Sequence, residues 1–256
     1  MASMRDIKRR KDSIQSTGQI TKAMKLVSTV KLQKAKGRAE NTKPYFDLMY
    51  ETVQSILAKS GHINHKYLKE SESDKKAVIV VTANRGLAGG YNSNITRMII
   101  DEGFTKENTV VYAVGKKGRE LLERKGYEIK ADYSEAINDP IYKDAKEICD
   151  DVLSAFADGE VGEIYLAYTV FKNTVVHEPQ LIRLLPVEAD DAAHETDGSE
   201  ALMTYEPSEE EALDMIIPKY VCSLVYGALI ESVASENGAR MQAMDSATSN
   251  AEEMIS

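Results

Sequence analysis

Residues 82–95, TANRGLAGGYNSNI, come nearest to a chemical motif in this chain. They follow a β-branched run and place glycines where a doubly wound fold turns from strand to helix, with backbone N–H groups able to hold a phosphate. The residues such a site needs are missing. There is no GxGxxG, and Tyr91 and Asn92 follow Gly89 and Gly90 where a P-loop carries Lys-Ser/Thr. The stretch reads as a structural tight turn, with Asn92, Ser93 and Asn94 as candidate helix N-caps and nucleotide binding as the rival reading.

Other chemistry fails on spacing. His62 and His65 stand three apart in GHINHKY with no Cys or carboxylate beside them, and read as solvated loop. The acidic stretch ETDGSEALMTYE imitates a calcium loop, but with Gly198 in sixth place the twelfth residue is Thr204, where a bidentate Glu is required. Cys149 and Cys222 lie far apart without a CxxC, as structural thiols of a reducing compartment do. Neither GxSxG nor HExxH occurs. No catalytic, cofactor-binding or metal-ligating residue is expected.

The elements around the turn are more informative. KAVIVVTA before it is a short continuous apolar run, as in a strand covered on both faces. A helix over 92–102, the strand TVVYAVG, a helix over 116–125 and a strand near 127–133 continue a β-α-β-α-β alternation. A helix over about 140–157 and two longer strands, EIYLAYTVF and PQLIRLLPV, joined by KNTVVHE, complete it. The pattern predicts an α/β fold with a mostly parallel sheet, helices on both faces and an antiparallel edge pair. Residues 188–211 are acidic, poorly periodic loop.

Both ends read differently. Residues 3–58 hold good helix formers and no proline before Pro44, which predicts one very long helix, of which some 50 residues would span about 75 Å. Its apolar positions Ile7, Ile14, Ile20, Met24, Val27 and Val30 suggest a thin seam. At the other end Pro218 starts or kinks a helix. Ile230, Ala234, Asn237, Met241, Met244, Thr248, Ala251 and Ile255 then keep alternating spacings of four and three, with Gly227 on the same line. That is a coiled-coil seam narrow enough for close approach. The parts are residues 1–58, 76–188 and 207–256.

Charge divides the same way. Residues 1–46 carry 12 Lys or Arg against 3 Asp or Glu, and residues 186–256 carry 2 against 16. A basic helix alone would suit nucleic acid or anionic lipid, but the acidic end favours pairing of the two ends. Exposed ion pairs would add only ~0.2–1 kcal/mol each to that pairing. The N-terminus is charged from Arg5 onward without the apolar core of a signal peptide, and no stretch approaches the ~20 apolar residues of a membrane span.

Three blocks carry a resemblance: IKRRKDSIQSTGQITKAMKLVSTVKLQKAKGR, TANRGLAGGYNSNI and SENGARMQAMDSATSNAEEMI. In that order, and across essentially the whole chain, they resemble the gamma subunit of the F-type ATP synthase. The resemblance implies a rotor shaft of two long antiparallel helices inside the ring of alpha and beta subunits, with a Rossmann-like domain below. The foot would meet the membrane proton ring (c-ring) and the epsilon subunit. ATP chemistry would belong to the alpha/beta interfaces, and this chain would carry no catalytic site or cofactor. Carried over by position are Lys22, Met24, Lys25, Lys31 and Arg240 as contacts to the alpha/beta ring, with Lys25 on the charged outer face. The turn Arg85, Gly86, Leu87, Gly89 and Gly90 would be structural, and Tyr205, Glu206 and Pro207 would lie at the foot. No nucleic-acid partner or direct membrane insertion is implied. A peripheral place on the cytoplasmic face of a bacterial membrane is, since neither a transit peptide nor the redox-cysteine insertion of chloroplast relatives is present. The family pattern also continues for one further helical segment of about 30 residues beyond Ser256. A static coiled-coil scaffold and a nucleotide-binding α/β protein are the alternatives.

Overall fold

The computed structural model describes residues 4–59, 65–69, 71, 73–187 and 208–256. Two helices frame it: α1, Met4–Lys59, and α5, Glu209–Ile255. Between them run β1 (Lys76–Val81), α2 (Tyr91–Asp101), β2 (Thr109–Val114), α3 (Lys116–Arg124), β3 (Glu128–Asp132), α4 (Tyr142–Ala157), β4 (Glu163–Phe171) and β5 (His177–Leu185). The sheet order is β3-β2-β1-β4-β5, parallel except for the β4–β5 pair. The α/β expectation and its antiparallel edge therefore hold. β5 starts two residues earlier than the sequence suggested, because Phe171 pairs with His177 and shortens the connection. A 3₁₀ turn at Ala136–Asn138 was not anticipated.

Period-two alternation divides β1 between two cores. Val78 and Val80 join Val111, Ala113, Ile95, Ile99 and Leu122 under α2 and α3. Ala77, Ile79 and Val81 point the other way, into the larger core built with α4, the lower end of α1 and the first half of α5. That second layer shows why α5 contains a stretch of mean hydropathy 1.5, long and apolar enough to cross a membrane; 56% of it is buried inside the molecule. The expectation that no stretch comes near a span is corrected. Here the apolar character serves a helix packed into the core against α4 and the sheet.

Helix α5 begins at Ser208, whose hydroxyl accepts from Glu211 N at 3.2 Å, and it runs through Pro218. Proline removes one donor and is tolerated here inside a well-packed helix, as Pro44 is in α1. At 1.5 Å per residue the 56 residues of α1 reach roughly 84 Å. The two helices run antiparallel. Thr21 and Thr248 hydroxyls lie 2.7 Å apart, Lys25 Nζ meets Asp245 Oδ1 at 2.5 Å, and a Cβ on Gly18 would stand 3.3 Å from that of Ala251.

On α5 the expected seam is the observed one, with Ile230, Ala234, Asn237, Met244 and Ala251 buried and Met241, Thr248 and Ile255 half-buried. On α1 it is not. The inward line is Ile14, Gly18, Thr21, Lys25, Ser28, Leu32 and Ala35, again alternating four and three, with Thr21, Ser28, Leu32 and Ala35 buried and the others half-buried; of the expected positions it keeps Ile14, and Met24 is half-buried beside it. Ile7, Ile20, Val27 and Val30 point outward, Val30 71% exposed. Lys25 accordingly sits on the seam and not on the outer face. Among the described residues it forms the one direct ion pair between α1 and α5.

His65 also departs from expectation. It is buried at 2% exposure; its Nδ1 accepts from Tyr67 N, which leaves Nε2 as donor to Asp214 Oδ1 at 3.1 Å. Its partner lies 149 residues away on α5, beyond any local reading. His62 and the calcium-like stretch lie outside the described residues.

Candidate functional site

The Gly-rich turn is tied into the molecule by its own side chains. Asn84 Nδ2 donates to Ser134 O at 2.7 Å and its Oδ1 accepts from Lys116 N at 3.0 Å, fixing the end of β1 to neighbouring loops. Asn92 Oδ1 accepts from Ala83 N at 2.8 Å, and Ser93 donates to Gly90 O at 3.1 Å. None of the three expected side chains caps α2. The N-cap is Gly90, without a side-chain bond, because Asn92 is spent in holding the turn closed. Leu87 at φ 60° and Gly89 at φ 55° carry the reversal. Glycine is free there, whereas leucine in this region is held against its own preference. Gly86 has open space around its α-carbon and no such φ.

The turn grips α5. Tyr91 Oη donates to Ser232 O at 3.1 Å, and Ala83, Ala88 and Tyr91 pack with Ala239. Burial pushes the Tyr91 phenol far up, with the Glu236 carboxylate adding to it, so it remains a donor. Arg240 closes the contact: Nη2 donates to Gly86 O at 3.2 Å and Arg85 O at 3.4 Å, Nε to Gly86 O at 3.4 Å, and Nη1 to Glu236 Oε1 at 2.6 Å. Its guanidinium is not a free outward cation; the residue is 8% exposed.

Beside this contact a cleft of about 600 Å³ opens toward α1, lined by Met24, Val27, Lys31, Lys34, Arg38, Arg85, Gly86, Leu87, Asp139 and Arg240 among others. The structure therefore brings together Met24, Lys31, Arg85, Gly86 and Arg240 from the expected residues. Lys22 is exposed on the shaft away from the cleft, and Lys25 belongs to the seam. Gly89 and Gly90 line a separate hollow of about 260 Å³ with His177 and Gln242. Tyr205, Glu206 and Pro207 lie outside the described residues. The cleft is cationic but partly neutralised: Arg38 and Lys34 both reach Asp139, and the Arg38 bond holds that carboxyl below the usual carboxylate range.

Sequence reasoning missed Tyr91, Ser232 and Glu236. The four-residue step from Glu236 to Arg240 was visible as a helical pair, but its target, two loop carbonyls, was not. It also treated Cys149 and Cys222 as unrelated. They meet between α4 and α5, and contact with Cys222, then burial, push the Cys149 thiol well up. A thiol kept protonated in this way is unreactive.

Comparison with known proteins gives a single direction. The sequence profile of the ATP synthase family (ATP-synt) matches residues 3–256. The chain is similar to the ATP synthase gamma chain of Lachnoclostridium phytofermentans, 67% identical over 262 residues that cover 100% of this chain and 90% of that one. It is 42% identical to that of Alkaliphilus metalliredigens, covering 98% and 88%. The Acetobacterium woodii chain described as sodium ion specific is 41% identical, covering 99% and 89%. Among solved structures, the central stalk and c-ring of the Tetrahymena thermophila mitochondrial ATP synthase contains a similar chain: TM-score 0.67, 26% identity, covering 89% of this chain and 99% of that one. A rotor chain of the Euglena gracilis enzyme shares the fold with TM-score 0.65 at 16% identity, covering 98% and 92%.

Proposed function

This chain belongs to the ATP synthase gamma chains, central-stalk subunits of a membrane-associated complex, and from that premise we propose that its two long helices turn as a shaft inside the alpha/beta ring while the sheet layer forms the foot. One observation carries the reading. The helices spend a 4-3 seam rich in small and polar residues on each other, while larger apolar side chains, Ile20, Leu26, Val27 and Val30, face outward and stay exposed among the described residues. Such a face on a helix far longer than its own core requires is covered by surrounding subunits. Lys22, Met24 and Lys31 lie on or beside that face and are the ring contacts.

In this reading the chain has no catalytic site of its own; ATP is made and hydrolysed at the alpha/beta interfaces, and the shaft biases each in turn by presenting different faces to it. The foot contacts the epsilon subunit and the membrane c-ring, with Tyr205, Glu206 and Pro207 at that end. The complex sits on the cytoplasmic face of a bacterial membrane, where the chain is peripheral, does not insert into the bilayer and has no nucleic-acid partner. Whether the ring carries protons or sodium ions is a property of the ring, and a relative described as sodium ion specific is 41% identical to this chain.

A tether tests rotation. A cysteine at exposed Lys22, paired with one on the facing ring subunit in a reconstituted complex, should abolish steady multi-turnover ATP hydrolysis when the disulfide forms, and reduction should restore it. Undiminished steady hydrolysis with the bond complete would make the chain a static scaffold.

A further inference from the structure

We propose that Arg240 is a positioning residue within the rotor itself, a latch that fixes the foot to the shaft, with Tyr91 as its second point. The proposal rests on the rotor reading and goes beyond it by assigning where torque crosses from the sheet layer to the long helices. The guanidinium lies nine-tenths buried between α5 and the 85–91 turn, and each of its three nitrogens has a partner inside the chain. Glu236, one helical turn back, is equally enclosed, with side-chain exposures of 10% and 14% for the pair. That pairing holds the fork in one orientation and leaves its outer edge for two loop carbonyls, a geometry that a planar guanidinium can satisfy and an ammonium cannot. The loop meets it with Leu87 held at φ 60°, as backbone does where the surroundings over-determine it.

The location gives the contact its leverage. It stands at the carboxyl edge of the sheet, near the upper limit of the foot's contact with α5, where Gln242 Nε2 adds one further bond to Thr174 O at 3.0 Å as the shaft continues with α1. Toward α1 the same turn faces the open cleft, so on that side no packing replaces the latch. Tyr91 to Ser232 O, about two turns lower on α5, completes a two-point grip that resists twisting of the helix against the sheet.

The test separates a latch from a contact to a catalytic subunit and from a merely structural role. Complete complexes in vesicles would carry Arg240→Lys, Arg240→Met or Tyr91→Phe, and both ATP hydrolysis and ATP-driven cation uptake would be measured, alongside hydrolysis by the detached soluble head. For a latch, hydrolysis by the soluble head stays within about twofold of wild type. Cations moved per ATP fall by about twofold or more in Arg240→Met, as expected when charge-assisted bonds are removed, and less in Tyr91→Phe. Arg240→Lys keeps a charge for Glu236 but loses the fork, and should slip nearly as much as the methionine variant. If hydrolysis by the soluble head collapses while the ratio of uptake to hydrolysis is preserved, Arg240 acts on a catalytic subunit and the latch is wrong. A lowered melting temperature with an unchanged ratio reduces Arg240 to a structural bond and equally overturns it. Failure of the wild-type chain itself to couple uptake to hydrolysis would instead overturn the rotor reading beneath it.

Discussion

Glu231 carries an imbalance that a titration can reveal. Its Oε2 is buried without a hydrogen-bond partner, and burial lifts its pKa above 4.5 despite the Phe171 backbone bond and the Lys43 charge that pull the other way. A carboxyl with its folded pKa raised binds its proton more tightly in the native state, so its contribution to stability is complete below the unfolded value and is lost as pH rises through the folded one. Glu231→Gln removes the charge. Its melting temperature should match wild type near pH 4 and exceed it progressively from about pH 4.5 upward; parallel curves would show that the charge is not felt. Asp214, held low by Lys66, has the opposite sign but sits at the surface, where screening leaves little effect. Backbone proximity is less forgiving. A Cβ at Gly115, φ 116°, would lie 2.1 Å from Thr82 O, so Gly115→Ala should lower the unfolding free energy measured by urea titration by at least the roughly 1–3 kcal/mol that such strain alone costs. A loss under half a kilocalorie would mean that the β1–β2 crest yields.

At the scale of elements, the two helices of the shaft differed in how far the sequence revealed them. α5 was legible because its small residues keep the 4-3 spacing without competition, down to Gly227 packed against the Phe46 ring. α1 was misread at Ile20, Val27 and Val30, because apolar residues were assigned inward. In the structure its larger apolar residues face outward, and its seam holds Gly18, Thr21, Lys25 and Ser28. The sheet was legible from β-branched runs and period-two burial. The latch was not, since Arg240 and its carbonyl acceptors are 154 and 155 residues apart. Opposite responses follow for two substitutions twelve residues apart on α1. Gly18→Leu puts a branched side chain into a contact already 3.3 Å from Ala251 and should destabilise the isolated chain by about 1–3 kcal/mol. Val30→Ser, on the outward face, should leave it within about 0.5 kcal/mol. Equal effects in thermal unfolding would refute the assignment of faces.

For the molecule as a whole, the question is what occupies the position where a Rossmann-like sheet ordinarily holds a nucleotide. In open α/β sheets ligands lie outside the carboxyl ends of the strands, at the point where strand order reverses, here between β1 and β4. That crevice is taken by α5. Ser235 Oγ donates to Thr169 O at 3.1 Å just above the β1 end, Ser232 Oγ accepts from Thr169 N at 3.5 Å, and Tyr91 and Arg240 hold the flanking turn to the same helix. The fold's usual binding position has thus become the seat of its own long helix, and the polar groups that could have met a phosphate or ribose are satisfied within the chain. Displacing α5 to admit a ligand would break this row of bonds together with the core shared with α4 and β4. The purified chain should therefore show no stoichiometric binding of ATP or NAD in equilibrium dialysis at ligand concentrations of about 100 μM, well above the micromolar range of specific sites. A one-to-one site in that range, abolished by Gly89→Val, would show that the turn cradles phosphate after all, and that α5 occupies the crevice only until a nucleotide arrives.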